Sequence, residues 1–558
     1  MSTNDQIILD QILEEQRSAQ ISGATKSEFF EIYSAEQVLK DYDLSMDEIE
    51  YGLVGGTQDG GLDAIYTLVN GELVQEDFDY TYLKKNLIID VVVIQSKTSN
   101  GFDEETINKL IAVTTHLFSL TNSLNSFNNR YNGGVLAGVG IFRELFTATA
   151  SRFPDIRFHY IYATRGDSQK VHPNVKSKAE DLKNVVLGLF SKSSFKFSFF
   201  GAADLLALAR KQPVTVFNIQ FTESLTGDSG YIALVKLKDF ISFIRADSGQ
   251  LRKNLFEANV RDYQGTTQVN EDMQSTLGEK GLEDFWWLNN GITVVASKAV
   301  QAGKILTLED PQIVNGQQTS TEIYNYFHTK NTTNDERSVM VRVVVTNDPV
   351  SRDRIIKATN SQTAIPLASL RATEKIHRDI EDFLSPYGIY YDRRKNSQKQ
   401  QGRSADSIIS ISLLAQAVMS TLLQRPDDAR ARPSSLIKKD DEYSRIFSPS
   451  LPINIYLVAA VTIKKSHSFL RTKLDLAPKD RNNMLFYIAM CVVSTLSNKA
   501  APNEIDMAGI NCDGITENIL ERCFGVVETF YISLGANDQV AKGPQLTRLL
   551  KEHLAGNI

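Results

Sequence analysis

Gly55-Gly56-Thr57-Gln58-Asp59-Gly60-Gly61-Leu62-Asp63-Ala64-Ile65-Tyr66 and, further on, Val91-Val92-Val93-Ile94-Gln95-Ser96-Lys97 decide the fold of the N-terminal part of this chain. The glycine-punctuated loop leads into a strand expected over Leu62 to Val69. Asn70-Gly71 is a hairpin signal, and a second short strand follows at Glu72 to Val74. Leu87 to Gln95 is almost wholly apolar and β-branched, the composition of a strand covered on both faces. Strand periodicity puts Gln95 and Lys97 on one face.

Working outward, Thr25 to Tyr42 reads as a helix whose apolar side is Phe29, Phe30, Tyr33, Val38 and Leu39. Asp103 to Leu124 reads as a helix, Ile156 to Thr164 as a strand, Val175 to Phe190 as a helix and Phe195 to Phe200 as a strand. This order of elements is an α/β (α+β) core over residues 1–213. After Gln212-Pro213 the pattern changes. Val214 to Thr222, Tyr231 to Val235, Ile313-Val314 and Val339 to Thr346 are expected strands, Leu237 to Ile244 a helix, and Trp286 to Ala296 a strand pair turning at Asn290-Gly291. These make a mixed α+β middle domain, 214–400. Residues 401–558 read as mainly helical, with helices over Ser407 to Leu423, Ile453 to Lys464, Asn483 to Leu496, Asn518 to Leu534 and Gln545 to Leu554.

The chain has 558 residues, 42% hydrophobic and 23% charged, as a soluble multidomain protein would. No apolar run is long enough to span a membrane, and Met1 to Gln20 lacks a secretory pattern, so the expected location is cytoplasmic, with no membrane partner. Cys491, Cys512 and Cys523 have no paired spacing and read as reduced thiols. The seven histidines show no metal-ligand spacing. Net charge is -7, unevenly spread: residues 1–100 hold 19 acidic and 6 basic side chains, residues 351–445 hold 12 and 17. An acidic core that concentrates metal ligands, gripping phosphates through another part of the chain, is one reading; a patchwork of solvated faces is the other.

A carboxylate at the start of one strand and a Gln-x-Lys at the end of the next suit hydrolysis of a phosphodiester. Mg²⁺ or Mn²⁺ takes hard oxygen ligands, and one or two carboxylates suffice because the ion keeps waters. Asp63 is the obligatory carboxylate, the amide oxygen of Gln95 a neutral ligand or water-orienting group, and Lys97 the cation facing developing phosphoryl charge. The first helix offers Glu31 as a further ligand, with Glu36 second; Asp59 is a bystander or an outer partner. Taken singly, an Asp before a strand and a Lys after one are common turn residues. The glycine approach, the buried strand and the alternate Gln and Lys together carry the reading.

At these residues the chain resembles the Mrr-like branch of the PD-(D/E)xK nucleases, with Phe30-Glu31, Asp59-Gly60-Gly61-Leu62-Asp63 and Gln95-Ser96-Lys97 standing for the family's pattern. The resemblance covers roughly residues 25–200. It implies a restriction-endonuclease-like core and roles in metal binding and catalysis for Asp63, Gln95, Lys97 and Glu31. Gln95 departs from the acidic residue usual at its position.

Downstream the chain resembles a bacterial family named for abortive infection phage resistance, the AIPR family, through Phe285-Trp286-Trp287-Leu288-Asn289-Asn290-Gly291-Ile292-Thr293, Pro311-Gln312-Ile313-Val314-Asn315-Gly316-Gln317-Gln318-Thr319 and Ala358-Thr359-Asn360-Ser361-Gln362-Thr363. That implies nuclease attack, on DNA ahead of RNA, during anti-phage defence. Asn315 to Thr319 is also similar to the Asp-Gly-Gln-Gln-Arg motif of ParB/sulfiredoxin-like domains but lacks both its charges. Asn290, Asn315, Gln317, Gln318 and Thr319 are therefore either a ligand site at a helix start or an Asn-Gly turn with helix-capping side chains. Arg393, Arg394, Lys395, Lys399 and Arg403, beside Tyr390 and Tyr391, suit a nucleic-acid backbone, or form a solvated loop. The competing reading of the whole is a decayed core that binds nucleic acid, nucleotide or a phage protein without cutting. Restraint of such an activity calls for a homo-oligomer, a phage-derived trigger or a regulatory partner, and no residue decides among them.

Overall fold

A computed structural model describes residues 4–21, 23–42, 44–83, 87–210, 216–246, 249, 251–252, 255–256, 268–278, 283–330, 335–348, 351–352, 354–355, 358, 374–393, 396–400, 402–433 and 435–557. Helices α1 (Asn4–Gln20), α2 (Lys26–Val38) and α3 (Met46–Tyr51) lead into strands β1 (Ala64–Val69), β2 (Glu72–Leu73) and β3 (Ile88–Lys97). Then come α4 (Glu104–Val113), α5 (Gly133–Thr149), β4 (Asp155–Thr164), α6 (Pro173–Leu189), β5 (Ser193–Phe200) and α7 (Ala202–Arg210). The strands form one mixed sheet ordered β2-β1-β3-β4-β5. β1 runs antiparallel to β2 and β3, and β3, β4 and β5 run parallel.

Local chemistry explains these limits. Thr25 and Glu28 close a capping box at the start of α2. Asn70 and Gly71 both take positive φ, +48° and +74°, and close the β1–β2 hairpin. Along β3, Val91 and Val93 pack with Ile107 of α4 and Val139 of α5, while Val92 and Ile94 pack with Ala35 of α2 and Ile49 of α3. A strand covered on both faces is apolar along its middle; Asp90 near its start is buried and held by His159, Gln95 is still buried, and Lys97 is where the strand emerges.

The helix expected over 103–124 stops at Val113. One π-helical turn, Thr114–Phe118, follows, and an irregular loop runs on to Asn132. Side chains there satisfy backbone that a helix would otherwise use: Asn122 Nδ2 donates to His116 O, and the Arg143 guanidinium donates to the carbonyls of Leu117, Leu120 and Asn122. Helix α5 was not expected. Its glycines lower helix propensity but serve packing: a Cβ on Gly138 would lie 2.3 Å from Ile65 Cγ2 of β1.

The middle region contains β6 (Val216–Gln220), β7 (Glu223–Gly227), β8 (Gly230–Lys236), α8 (Leu237–Ile244), α9 (Gln268–Gly278), β9 (Ile292–Ala296), β10 (Lys298–Ala302), β11 (Ile305–Glu309), β12 (Gln312–Asn315), α10 (Gln317–Lys330) and β13 (Ser338–Val345). One sheet is ordered β12-β9-β13-β8-β7 and a smaller one β10-β11-β6. The expected strand pair over Trp286–Ala296 is corrected: only Ile292–Ala296 is strand, and Phe285–Trp287 is a 3-10 turn. Asp284 accepts the Ser338 N–H at 2.8 Å, and Asn289 bonds both Phe285 O and the Gly291 N–H, so the segment closes as a loop.

The C-terminal region is helical: Ile411–Thr421, Asn454–Arg471, Pro478–Ser497, Glu517–Ser533 and Pro544–Asn557 share one core. The first of these starts later than expected, because Ile408–Ser410 pairs with Tyr390–Asp392 as a short parallel ladder. Ile380, Leu384 and Tyr391 also join this core. Among the described residues no helix is long and apolar enough to cross a membrane.

The charge asymmetry of the sequence is spent between these regions. Arg481 pairs with Glu28 (2.8 Å), Lys399 with Glu36 (2.6 Å), Arg471 with Glu50, and Arg430 with Glu76 (3.2 Å). The acidic N-terminal layer is thus docked on Lys399 at the end of the middle region and on cations of the C-terminal region.

Candidate active site on the first sheet

The glycine loop is the hub of the site. Asp59 shapes it, accepting from the N–H groups of Gly56 (3.3 Å) and Gly61 (2.7 Å). Asp63 leaves the loop tied to β3 through its N–H on Ile94 O (3.0 Å). The residue is 6% exposed, and its carboxylate takes two bonds at Oδ2, from the Ser96 N–H and from Gln95 Nε2, each 2.6 Å. Glu31 comes down from α2 to meet it: a Cβ on Gly55 would lie 2.9 Å from Glu31 Oε2 and 3.5 Å from Asp63 Oδ1. Only glycine at 55 leaves that space between the two acids open.

The electrostatics follow. Burial, then the charges of Glu28 and Asp59, raise the Glu31 carboxyl to about 7. Burial and the neighbouring Glu31 raise Asp63 well above the ordinary carboxylate range, against the Ser96 N–H bond and the Lys97 charge. A buried acid with a half-buried acid beside it is an arrangement that favours a cation or a proton between them.

Lys97 leaves the end of β3 on the α4 side. Its ammonium is held by Asp103 Oδ2 at 3.1 Å and by Thr106 Oγ1. Asp103 is the N-cap of α4, taking the Thr106 N–H at 2.7 Å, and Tyr162 of β4 donates to it at 3.0 Å. Burial opposes ionisation of Asp103, but the bonds from Thr106, Lys97 and Tyr162 outweigh it and hold the carboxyl at about 2. This holder of the lysine was not anticipated; the available signal was an Asp placed to cap the helix that follows Lys97.

Asp63, Gln95, Glu31 and Lys97 are therefore brought to one place. Glu36 is not: it is occupied by Lys399. Among the described residues no group of three or more His, Cys, Asp or Glu is arranged to hold a metal. The oxygen donors at hand are two carboxylates and one amide, hard ligands of the kind a divalent ion such as Mg²⁺ takes.

The other predicted residues fare differently. Arg393 is buried, its side chain 8% exposed, and paired with Glu381 at 3.1 Å. Lys399 is held by Glu36, and Arg403 lies 4.0 Å over the Tyr390 ring. These three serve the fold; Arg394 and Lys395 lie outside the described residues. On the middle sheet Asn290 is exposed and Thr319 is buried. A Cβ on Gly316 would meet Ile292 Cγ1 at 2.8 Å and Gly291 O at 3.1 Å, so the Asn315-Gly316 turn allows two backbones to touch. Gln317 Oε1 is buried without a hydrogen-bond partner. Asn315 and Gln318 lie on β12 and at the start of α10; the string from Thr359 to Thr363 lies outside the described residues.

Fold and site together make this a mixed α+β protein with a helical C-terminal region and an acid-lined centre on its first sheet. The family model described as AIPR protein matches residues 256–528, which supports the AIPR assignment for the stretch from the middle sheet into the helices. The acid-lined centre lies before that stretch. No curated protein and no solved structure matches the chain.

Proposed function

We propose that this chain is a metal-dependent endonuclease that cleaves phosphodiester bonds, in DNA ahead of RNA, and that it acts as an effector of bacterial anti-phage defence. The observation that carries the reading is the convergence of Glu31 and Asp63, both with raised carboxyl pKa, beside Gln95 and Lys97 at the end of β3. The order α2, α3, β1, β2, β3, α4, α5, β4 around a mixed sheet supports a restriction-endonuclease-like core in residues 1–213, with residues 214–400 and 401–558 as the middle and helical domains. The AIPR match supports the defence setting.

Glu31, Asp63 and the Gln95 amide oxygen would hold Mg²⁺ or Mn²⁺, which supplies Lewis acidity and a water of lowered pKa. The remaining work falls to this chain's own residues. Lys97, positioned by Asp103 and Thr106, faces the negative charge that develops on the phosphoryl oxygens. Ser96 N–H fixes the Asp63 carboxylate so that its other oxygen faces Glu31. The neutral Gln95 favours a second reading, a site that binds nucleic acid, nucleotide or a phage protein and does not cut. Incubating the purified protein with plasmid DNA, linear DNA and structured RNA, in Mg²⁺, Mn²⁺ or EDTA and beside Lys97→Ala, separates the two. Cutting that needs metal and Lys97 supports the nuclease; binding without cutting by folded wild type supports the second reading.

A further inference from the structure

The candidate centre is acidic, and a polyanion needs a grip from somewhere else. Arg393 and Lys399 do not supply it, since both are ion-paired inside the fold. Another part of the chain stands beside the site. From Thr106 to Arg143 there is no aspartate or glutamate, although the first hundred residues hold 19.

The middle of that stretch, Ser119 to Asn132, contains one short 3-10 turn, Leu124–Phe127, and is otherwise irregular. Irregular loops of this length inside a compact fold are uncommon and are usually binding elements. This one is well fixed. Arg143 ties its start, as described above, and Asn132 Nδ2 ties its end to Val54 O (3.0 Å) and Thr57 O (3.2 Å). Gln58, at φ +60°, donates to Asn129 O at 3.3 Å and accepts the Asn132 N–H at 2.9 Å. The Tyr131 ring lies 2.7 Å from where a Cβ on Gly60 would stand, and the next residue, Gly61, abuts Gln95 Oε1 in the same way at 3.1 Å. The loop is therefore the rim of the site.

What the rim exposes has a definite chemistry. Asn128, Asn129 and Arg130 are exposed. The Arg130 guanidinium stands 5.7 Å from the Tyr131 ring centroid and makes no ion pair among the described residues. His116, carried by the π-helical turn, stacks on Phe127 (5.1 Å, 23°) and sits 2.7 Å from Tyr131 OH through Nδ1. π-helical turns recur at functional sites because they re-aim a side chain.

We propose that this rim is the DNA-contacting lip of the candidate active site. Arg130 takes a backbone phosphate flanking the one cut, the Asn128 and Asn129 amides bond the same strand, and the His116–Phe127–Tyr131 stack holds the loop in place. The identity of the ligand rests on the nuclease reading; the contact itself does not require turnover.

The test is fluorescence anisotropy of a labelled DNA duplex with the full chain, in Ca²⁺ and across a salt series, in the Lys97→Ala background. Arg130→Ala is expected to weaken binding about fivefold or more and to flatten the slope of log K against log salt by about one, while Arg130→Lys keeps the slope. Arg130 is exposed, so thermal melting should be unchanged in both variants. Binding and slope unaffected by Arg130→Ala overturn the proposal, and so does a parent protein that does not bind duplex. A parent that binds, an Arg130→Ala that loosens the grip and a wild type that never cuts would keep the rim and remove the nuclease.

Discussion

The first and the middle sheet each carry a string of sequence that stands out, and they use it in opposite ways. On the middle sheet Asn289 closes a turn on Gly291, and Gly316 lets the Asn315-Gly316 turn touch Gly291 and Ile292; the fold accounts for these residues, and of the string only Gln317 Oε1 is left buried without a partner among the described residues. On the first sheet buried Asp63 and half-buried Glu31 stand beside the same glycine, at pKa values that tell against their charges, and among the described residues only one oxygen of Asp63 is used by the fold, on Ser96 and Gln95. Side chains that help the fold are explained by it. Side chains that burden it point to chemistry.

That contrast can be broken by mutation. The largest effect is expected at Lys97. Lys97→Ala should lower cutting at least about 100-fold, since a charge facing the transition state is lost, while its melting temperature stays near wild type because the half-exposed ammonium carries little of the fold. On the middle sheet the reverse should hold. Gly316 sits at φ +96° with no room for a methyl, so Gly316→Ala should cost about 2–3 kcal/mol in urea unfolding. An unchanged midpoint would show that the string is kept for a ligand instead.

The smallest effect concerns the ionic seam between the regions. His467 stands 3.5 Å from Glu50, which favours its charge, yet burial and the Arg471 and Lys464 cations push its pKa well below the ordinary value. Burial prevails, because Glu50 is already engaged by Arg471. The unfolded chain takes up a proton at about pH 6.5, so this residue's contribution is present above that pH and lost as the pH falls. Wild type should therefore lose more stability than His467→Gln between about pH 7.5 and 5.5, measured by thermal melting. Equal losses would show that the seam's carboxylates control it.

Much of this was legible in the sequence, and the rest was hidden for physical reasons. The apolar run of β3, the Asn70-Gly71 hairpin and the shared face of Gln95 and Lys97 follow from period and turn chemistry, which are local. Helix α5 was hidden by glycines whose use lies in Ile65, a partner far along the chain. Asp103 is a helix cap by its local context, and only the fold puts Lys97 on it. The basic run near Arg393 read as solvent-facing because its acidic partners, Glu381 and Glu36, belong to other elements. Charge is visible in a sequence; its pairing is not.

The most direct measurement is a paired one on Glu31→Gln: melting temperature and DNA cutting in Mg²⁺ from the same preparation. The amide removes one of the two acids while keeping shape. If these acids are held for chemistry against the preference of the fold, the variant melts higher than wild type at neutral pH and no longer cuts. A variant that melts lower and cuts as before would mean that Glu31 serves the fold and that the centre of the chemistry lies elsewhere.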